Sequence, residues 1–288
     1  MAKEAAKTAM GPTALIAVEQ FYPDNQRVIT DNLAYRILPA SSRFFVNLLR
    51  IEWIRNLTIG LSEKSQPGIW GGLLCRKRYI DDKLTESAGD FEMIVNLGAG
   101  FDTRCFRLQS ISGMPVWETD QPENIKAKEN RLRKIFGKIT SDVKLVPVDF
   151  DSEELSSLLE AKGYSVNKRT FFIMEAVTQY LTAEGAEKNF DFLSKAVSGS
   201  RLIFTYVRKD FIDGKNLYGW ESGYKRFVTG KIWHYGIEPD KLPEFLKNYG
   251  WSVIEDRGYN ELAAEYLKPT GRKLTSTPVE RIVYSEKL

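Results

Sequence analysis

Three acidic residues each stand directly after a short apolar run: Asp120 after PVWET, Asp149 after VKLVPV and Glu175 after FFIM. A fourth run, Met93, Ile94, Val95 and Leu97, ends in Gly98-Ala99-Gly100. Runs of this kind suit strands buried on both faces of a parallel sheet. Ligands of open α/β sheets bind outside the carboxyl ends of the strands, so the three acids and the glycine turn should meet at one crevice. A residue without Cβ lets the chain turn tightly or approach a ligand closely. Asp120 lies 20 residues after Gly100, a spacing suited to an acid that accepts hydrogen bonds from a ribose diol. Any one of these acids is explained as well by a helix cap or a solvated side chain. Acids closing three successive strands are not a general requirement of packing.

The same residues discriminate between ligands. A dinucleotide pyrophosphate calls for GxGxxG and no clustered negative charge, yet the sixth position of that pattern is Thr103. A sulfonium ligand without phosphates, such as S-adenosylmethionine, carries positive charge and tolerates Asp120, Asp149 and Glu175. These residues therefore favour a methyl donor over a nicotinamide cofactor, and a nicotinamide-dependent oxidoreductase is the alternative from another class.

The elements that must position these groups alternate from residue 91 onward. Strands are expected at Met93–Leu97, Val116–Thr119, Val143–Val148, Phe171–Met174 and Leu202–Val207, with helices at Thr103–Leu108, Pro122–Phe136, Ser152–Lys162 and Ala183–Val197. Asp102 or Thr103 would cap the first of these helices. This alternation signals an α/β fold with a mostly parallel sheet. Lys241–Tyr249 is amphipathic and ends at Gly250, and Trp251–Glu255 and Glu280–Ser285 read as late strands that pair antiparallel at one edge. Residues 1–90 read as a helical extension packed on the core, with helices over Ala14–Val18, Asp31–Ile37, Ser41–Ile59 and Trp70–Lys83. The third carries Phe44, Phe45, Leu48, Leu49 and Ile51 on a broad apolar face. The core then spans 91–288, with an aromatic-rich insertion at about 208–240.

Composition excludes several classes. The 41 basic and 38 acidic residues of the 288 nearly cancel, which gives no basic stripe for a nucleic acid. Cys75 and Cys105 form neither a disulfide framework nor a metal cluster, and the single histidine, His234, leaves no His-rich metal site. No metal is expected. No segment approaches 18 apolar residues and the N-terminus lacks a signal-peptide pattern, so a cytoplasmic protein without a membrane partner is the expectation.

The run VNLGAGFDTRCFRL, with ETDQP at 118–122, VDF at 148–150 and MEAVTQYL at 174–181, resembles the leucine carboxyl methyltransferase family. That family groups protein leucine carboxyl methyltransferases with bacterial small-molecule O-methyltransferases. Arg76 in CRKRYIDD matches the family's arginine ahead of the first strand, and GIEPDKLPEFLKNYGW and YLKPTGRKL resemble the bacterial members. The resemblance implies a Rossmann-like class I methyltransferase sheet that binds S-adenosylmethionine. It implies that Arg76 pairs with the methionine carboxylate and that Gly98, Ala99 and Gly100 pass under the cofactor. Asp120 would bind the ribose hydroxyls, Asp149 would accept from the adenine amino group, and Phe150 would donate its backbone N–H or stack. Glu175 would lie near the methionine amino end. The segment between Asp120 and Asp149 is shorter than in the protein leucine methyltransferases, and their N-terminal basic motif is not evident. Both departures pull the chain toward the small-molecule branch.

On the acceptor side the candidates are His234, in IWHYG, as a base and Tyr180 as a group that orients the acceptor oxygen. Each is explained equally by ordinary packing. Nine aromatics between Phe204 and Tyr235 suit a pocket for an apolar or aromatic acceptor, and core packing would use the same residues. The expected activity is O-methylation of a small-molecule carboxylate or hydroxyl, with a protein C-terminal carboxylate as the alternative acceptor.

Overall fold

A computed structural model of the protein describes residues 10–150 and 153–288. Its centre is a seven-stranded sheet in the order β3-β2-β1-β4-β5-β7-β6. The strands are β1 (Met93–Leu97), β2 (Val116–Asp120), β3 (Val143–Pro147), β4 (Thr170–Met174), β5 (Arg201–Val207), β6 (Trp251–Gly258) and β7 (Glu280–Lys287). The first five pair in parallel, and β7 pairs antiparallel with both β5 and β6. Strand order reverses between β1 and β4, which is where a ligand crevice opens in such sheets.

Continuous apolar sequence in β1 and β4 follows from burial on both faces. Ile94, Phe171 and Ile173 point into one core, whereas Val95, Leu97, Phe172 and Met174 point into the other. That alternation is the two-residue period of a strand. Around the sheet lie α1 (Met10–Glu19), α2 (Ala34–Ile37), α3 (Ala40–Leu48), α4 (Glu52–Ser65), α5 (Ile69–Glu86), α6 (Arg104–Arg107), α7 (Pro122–Phe136), α8 (Leu155–Glu160), α9 (Ala183–Ser194), α10 (Lys209–Ile212), α11 (Glu221–Tyr224), α12 (Leu242–Asn248) and α13 (Tyr259–Tyr266). The first core takes side chains of α1, α5 and α13, and the second takes those of α8, α9 and α12. A smaller apolar cluster of Val207, Phe211, Trp220, Trp233 and Val279 gathers the aromatics that follow β5.

Three expectations need correction. The helix expected over Ser41–Ile59 is two helices, α3 and α4, broken at 49–51. Arg55 turns back to donate Nη1 to the carbonyls of Leu49 and Arg50, which satisfies acceptors that the break leaves open. The apolar face of that segment does not pack on the core, since Phe44, Phe45, Leu48 and Ile51 are exposed. The helix after β1 is a single turn, because the Thr103 hydroxyl donates to Asp31 instead of capping it while Asp102 accepts from the Arg104 N–H. The helix expected over Ser152–Lys162 runs from Leu155 to Glu160, with Asp151 and Ser152 outside the described residues. The two late strands pair antiparallel at one edge of the sheet as expected, with β7 between β5 and β6.

α7 is anchored to β2 by a fully buried ion pair, Lys128 Nζ to Glu118 Oε2 at 2.7 Å. Burial is the largest influence on Glu118 and pushes its carboxyl up, against the pull of Lys128. Removing one partner of such a pair leaves an uncompensated buried charge, at a cost of about 3–5 kcal/mol. Lys128→Met should therefore lower the urea midpoint sharply, and Lys128→Met with Glu118→Leu should recover much of the loss. A single variant as stable as the parent would show that the pair holds nothing.

Candidate functional site

The glycine turn opens where β1 ends. Gly98 and Gly100 have φ of 68° and 46°, in the left-handed region that disfavours a side chain. At Gly98 a Cβ would also stand 2.3 Å from Val177 Cγ2, so the turn and the segment after β4 pack directly on each other. Two bonds fix the turn to the end of β2: Ala99 N–H donates to Thr119 O at 2.8 Å, and Gly100 N–H to Asp120 Oδ2 at 2.6 Å. The other Asp120 oxygen accepts from Gln121 N–H at 2.7 Å and Asn124 Nδ2 at 2.8 Å. Burial dominates here and pushes the Asp120 carboxyl up, opposed by these same hydrogen bonds. A carboxylate offers about four acceptor places, and these three donors leave one for a ligand hydroxyl.

Asp149 follows β3 beside Asp120, since Val148 N–H donates to Asp120 O at 2.9 Å. Its own N–H donates to Glu153 Oε2 at 2.7 Å. Phe150 is buried, and its carbonyl accepts from Asn189 Nδ2 at 3.2 Å. A cavity of about 280 Å³ opens between α8 and α9 beside Phe150, Leu155, Asn189 and Phe192, and none of the residues of the glycine turn lines it.

Glu175 sits at the centre of a buried ionic network. Its Oε1 takes Arg76 Nε at 2.8 Å, and its Oε2 takes Arg104 Nη1 at 2.8 Å and Lys77 Nζ at 3.0 Å. Arg104 is completely buried and also pairs with Asp102 and, at 2.7 Å, with Asp81. Arg107 links Asp81 to Asp31, and Arg76 Nη1 reaches Glu280 at 3.0 Å. Arg76, Lys77, Arg104 and Arg107 make four cations against five anions, Asp31, Asp81, Asp102, Glu175 and Glu280. With every group ionised the network carries one negative charge in excess, although burial pushes the Asp81 carboxyl up against the pull of Arg104 and Arg107; that balance suits a cationic ligand better than a pyrophosphate. Burial works against ionising Glu175, but Lys77, Arg104 and Arg76 outweigh it and hold its pKa at about 2. Asp102, likewise desolvated, is held well below the carboxylate range by Arg104, Lys77 and Lys128.

Directly after Glu175 the chain reverses at Ala176, whose φ of 55° is uncommon for a residue with a side chain. The Thr205 hydroxyl accepts from its N–H at 2.9 Å and holds the bend. Val177 then covers Gly98, and Gln179 O accepts the His234 N–H at 2.7 Å. That bond brings the loop of His234 against Tyr180, whose ring meets Trp233 edge-on at 6.4 Å. The His234 side chain is exposed and Tyr180 is half-buried.

The structure therefore gathers Arg76, Gly98, Ala99, Gly100, Asp120, Asp149, Phe150 and Glu175 along the carboxyl ends of β1 to β4, with Tyr180 and His234 beside them. Sequence reasoning missed Asp31, Lys77, Asp81, Asp102, Arg104, Arg107 and Glu280. Five of these seven stand in two motifs already singled out, CRKRYIDD and the FDTRCFRL that follows the glycine turn. Asp102 was read there as a cap and not as an ion-pair partner.

A sequence profile of the leucine carboxyl methyltransferase family matches residues 9–194, and the chain belongs to that family. A protein of Mycolicibacterium gilvum, named "Putative S-adenosyl-L-methionine-dependent methyltransferase", is 26% identical over 255 residues, 84% of this chain and 80% of its own. A protein of Mycobacterium marinum with the same name is 34% identical over 66% of this chain and 64% of its own. In fold, a DUF574 family protein from Streptomyces avermitilis is similar, with a TM-score of 0.58 at 14% identity, over 81% of this chain and 90% of that one.

The low pKa of Glu175 is a statement about stability. A group depressed on folding contributes stability that is present above its ordinary pKa near 4.5 and is lost as pH falls toward about 2. The urea midpoint should fall steeply between pH 5 and pH 2, and Glu175→Gln should flatten that fall while lowering the midpoint at pH 7. Equal slopes in parent and variant would show that Glu175 is not held ionised.

Proposed function

We propose that this protein transfers the methyl group of S-adenosylmethionine to an oxygen of a small molecule, a carboxylate or a hydroxyl. The observation that carries the reading is the ionic network with its negative excess, built beside a glycine turn and an Asp120 that keeps one acceptor place. Family membership supports a methyltransferase dependent on S-adenosylmethionine, and the residues present fit that ligand. Arg76 would hold the methionine carboxylate, Glu175 would face the ammonium end, and Asp120 would take a ribose hydroxyl. Asp149 and Phe150 would receive the adenine.

S-adenosylmethionine supplies an electrophilic methyl carbon: an acceptor oxygen lone pair forms the new O–C bond as the C–S bond breaks, leaving a neutral thioether. The protein's part is alignment, and orientation of this kind is worth on the order of 7–11 kcal/mol. Tyr180 would orient the acceptor oxygen, and the partly buried Tyr218, Tyr224 and Phe227 of the same cluster would suit an apolar or aromatic acceptor body. A carboxylate acceptor is already ionised at neutral pH and needs no base. A hydroxyl acceptor must lose its proton, and His234, the single histidine of the chain, would take it. The family itself supports the second reading, a protein C-terminal carboxylate as acceptor.

Calorimetric titration tests the donor site: Asp120→Ala should weaken binding of S-adenosylmethionine by about tenfold or more. Unchanged affinity would overturn the assignment. Methyl-labelled donor, offered with small carboxylates, phenols and peptides ending in leucine, tests the acceptor. Methyl esters release label as methanol in mild base, whereas ethers retain it. If the product is an ether, His234→Ala should reduce kcat by about 10²–10⁴-fold. If it is an ester, the same variant should leave kcat unchanged. Label found only on nitrogen, or only on peptide ends, would refute small-molecule O-methylation.

A further inference from the structure

The helical hairpin of α3 and α4 leaves an apolar face to solvent. Among the described residues, seven of the ten large apolar side chains that are well exposed lie between Phe44 and Leu61: Phe44, Phe45, Leu48, Ile51, Trp53, Leu57 and Leu61. Trp53 is 68% exposed, and Trp53, Leu57 and Leu61 recur at every fourth residue, which places them in one stripe along α4. Single exposed hydrophobics need no explanation, whereas a contiguous set marks a surface with a partner. The inner side of the hairpin is already committed. Arg55 is buried, caps carbonyls at the break and lies 4.4 Å over the Tyr22 ring. Glu63 turns inward to accept from the N–H groups of Gly68 and Trp70 and from the Thr275 hydroxyl.

The charges around the face are mostly of one sign. Arg36, Arg43, Arg50 and Lys64 are at least partly solvent-exposed, against Glu52 and the partly exposed Glu63. A second copy packed on this face would set cations against cations, so the charge pattern disfavours self-association and suits an anionic partner. Trp, Phe and Leu on one side of a short helix with Arg and Lys around it is the composition of a helix that lies in a lipid–water interface. We propose that the α3–α4 hairpin docks the protein on an anionic lipid surface. No helix among the described residues is long and apolar enough to cross a membrane. An interfacial helix needs no such length, so the sequence argument against a membrane partner, which rests on spanning segments, does not bear on it. The surface is continuous with the acceptor side: Ser65 at the end of α4 lies 3.0 Å from Ser222, and Trp220 Nε1 donates to Pro67 O at 2.7 Å. The docking stands independently of the acceptor proposed above.

Co-sedimentation of the full chain with vesicles tests it. At low salt the protein should partition at least about tenfold better onto vesicles of mixed phosphatidylcholine and phosphatidylglycerol than onto phosphatidylcholine alone, and salt at about 0.5 M should remove the difference. The double variant Trp53→Glu with Leu57→Glu should lose partitioning onto both. Arg43→Ala with Arg50→Ala should lose about fivefold for each charge on the anionic vesicles only. Trp53 and Leu57 are exposed, whereas Arg43 is half-buried and Arg50 lies 5.1 Å over the Phe21 ring, so the glutamate variant should keep the parent's thermal midpoint, the alanine variant should lower it slightly at most, and both should keep the affinity for S-adenosylmethionine. The proposal is overturned if the parent sediments with neither vesicle, or if the glutamate variant sediments as well as the parent. It is equally overturned if light scattering finds a dimer that the glutamate variant converts to a monomer.

Discussion

Everything at the carboxyl ends of the strands depends on how Glu175 is neutralised. A carboxylate withdrawn from water at that depth is tolerated only if its partners arrive with good geometry, because a buried charge left without one costs several kcal/mol. Arg76 and Lys77 come from α5, before the sheet begins, and Arg104 comes from the single turn after the glycine loop. Glu280 at the start of β7 takes the other side of Arg76. Four segments far apart in sequence must therefore be in place together. The helices before residue 90 are then not an appendage: α5 supplies the charges without which the end of β4 would not close as it does.

The same constraint shapes the crevice. Strand order reverses between β1 and β4, and the glycine turn on one packs against Val177, two residues after Glu175 on the other. Ala176 bends the chain immediately after Glu175, which sends Val177 over Gly98 and fills the space that a Cβ at that glycine would need. A residue with a side chain at positive φ is held by its surroundings, and here the Thr205 hydroxyl and the ion pairs on Glu175 do the holding. What the bend gains is reach. It carries the chain on to Gln179 and Tyr180, where the loop of His234 docks.

The strands were legible in the sequence because each is a local run of buried residues closed by a turn or an acid. Asp120, Asp149 and Glu175 were legible for the same reason, since position after a strand is a local property. The network around Glu175 was not, because its bonds join residues 71, 99 and 204 positions apart, and no periodicity reports such pairings. Asp102 shows the limit well: its place before a helix suggested a cap, and only the fold reveals Arg104 and Lys77 around it. The α3–α4 segment failed differently. Helical period shows that a face is apolar, not that something covers it, and the sheet does not reach Phe44 or Trp53. The break at 49–51 was hidden too, because it depends on Arg55 folding back onto carbonyls and not on a proline or glycine.

A site with one negative charge in excess also treats the two ends of the reaction unequally. A sulfonium donor brings a positive charge that the thioether product lacks, while the ribose, adenine and amino-acid portions are the same in both. In the binding mode proposed above, contacts through Asp120, Asp149 and Arg76 would bind donor and product alike and would not distinguish them. The network would, because opposite charges attract more strongly in a partly buried site than in water. Part of the donor's binding energy would then be lost at the moment of transfer, and the product would be left in a site suited to a charge it no longer carries. On this account the buried carboxylates that look expensive for folding also favour the exchange of product for fresh donor.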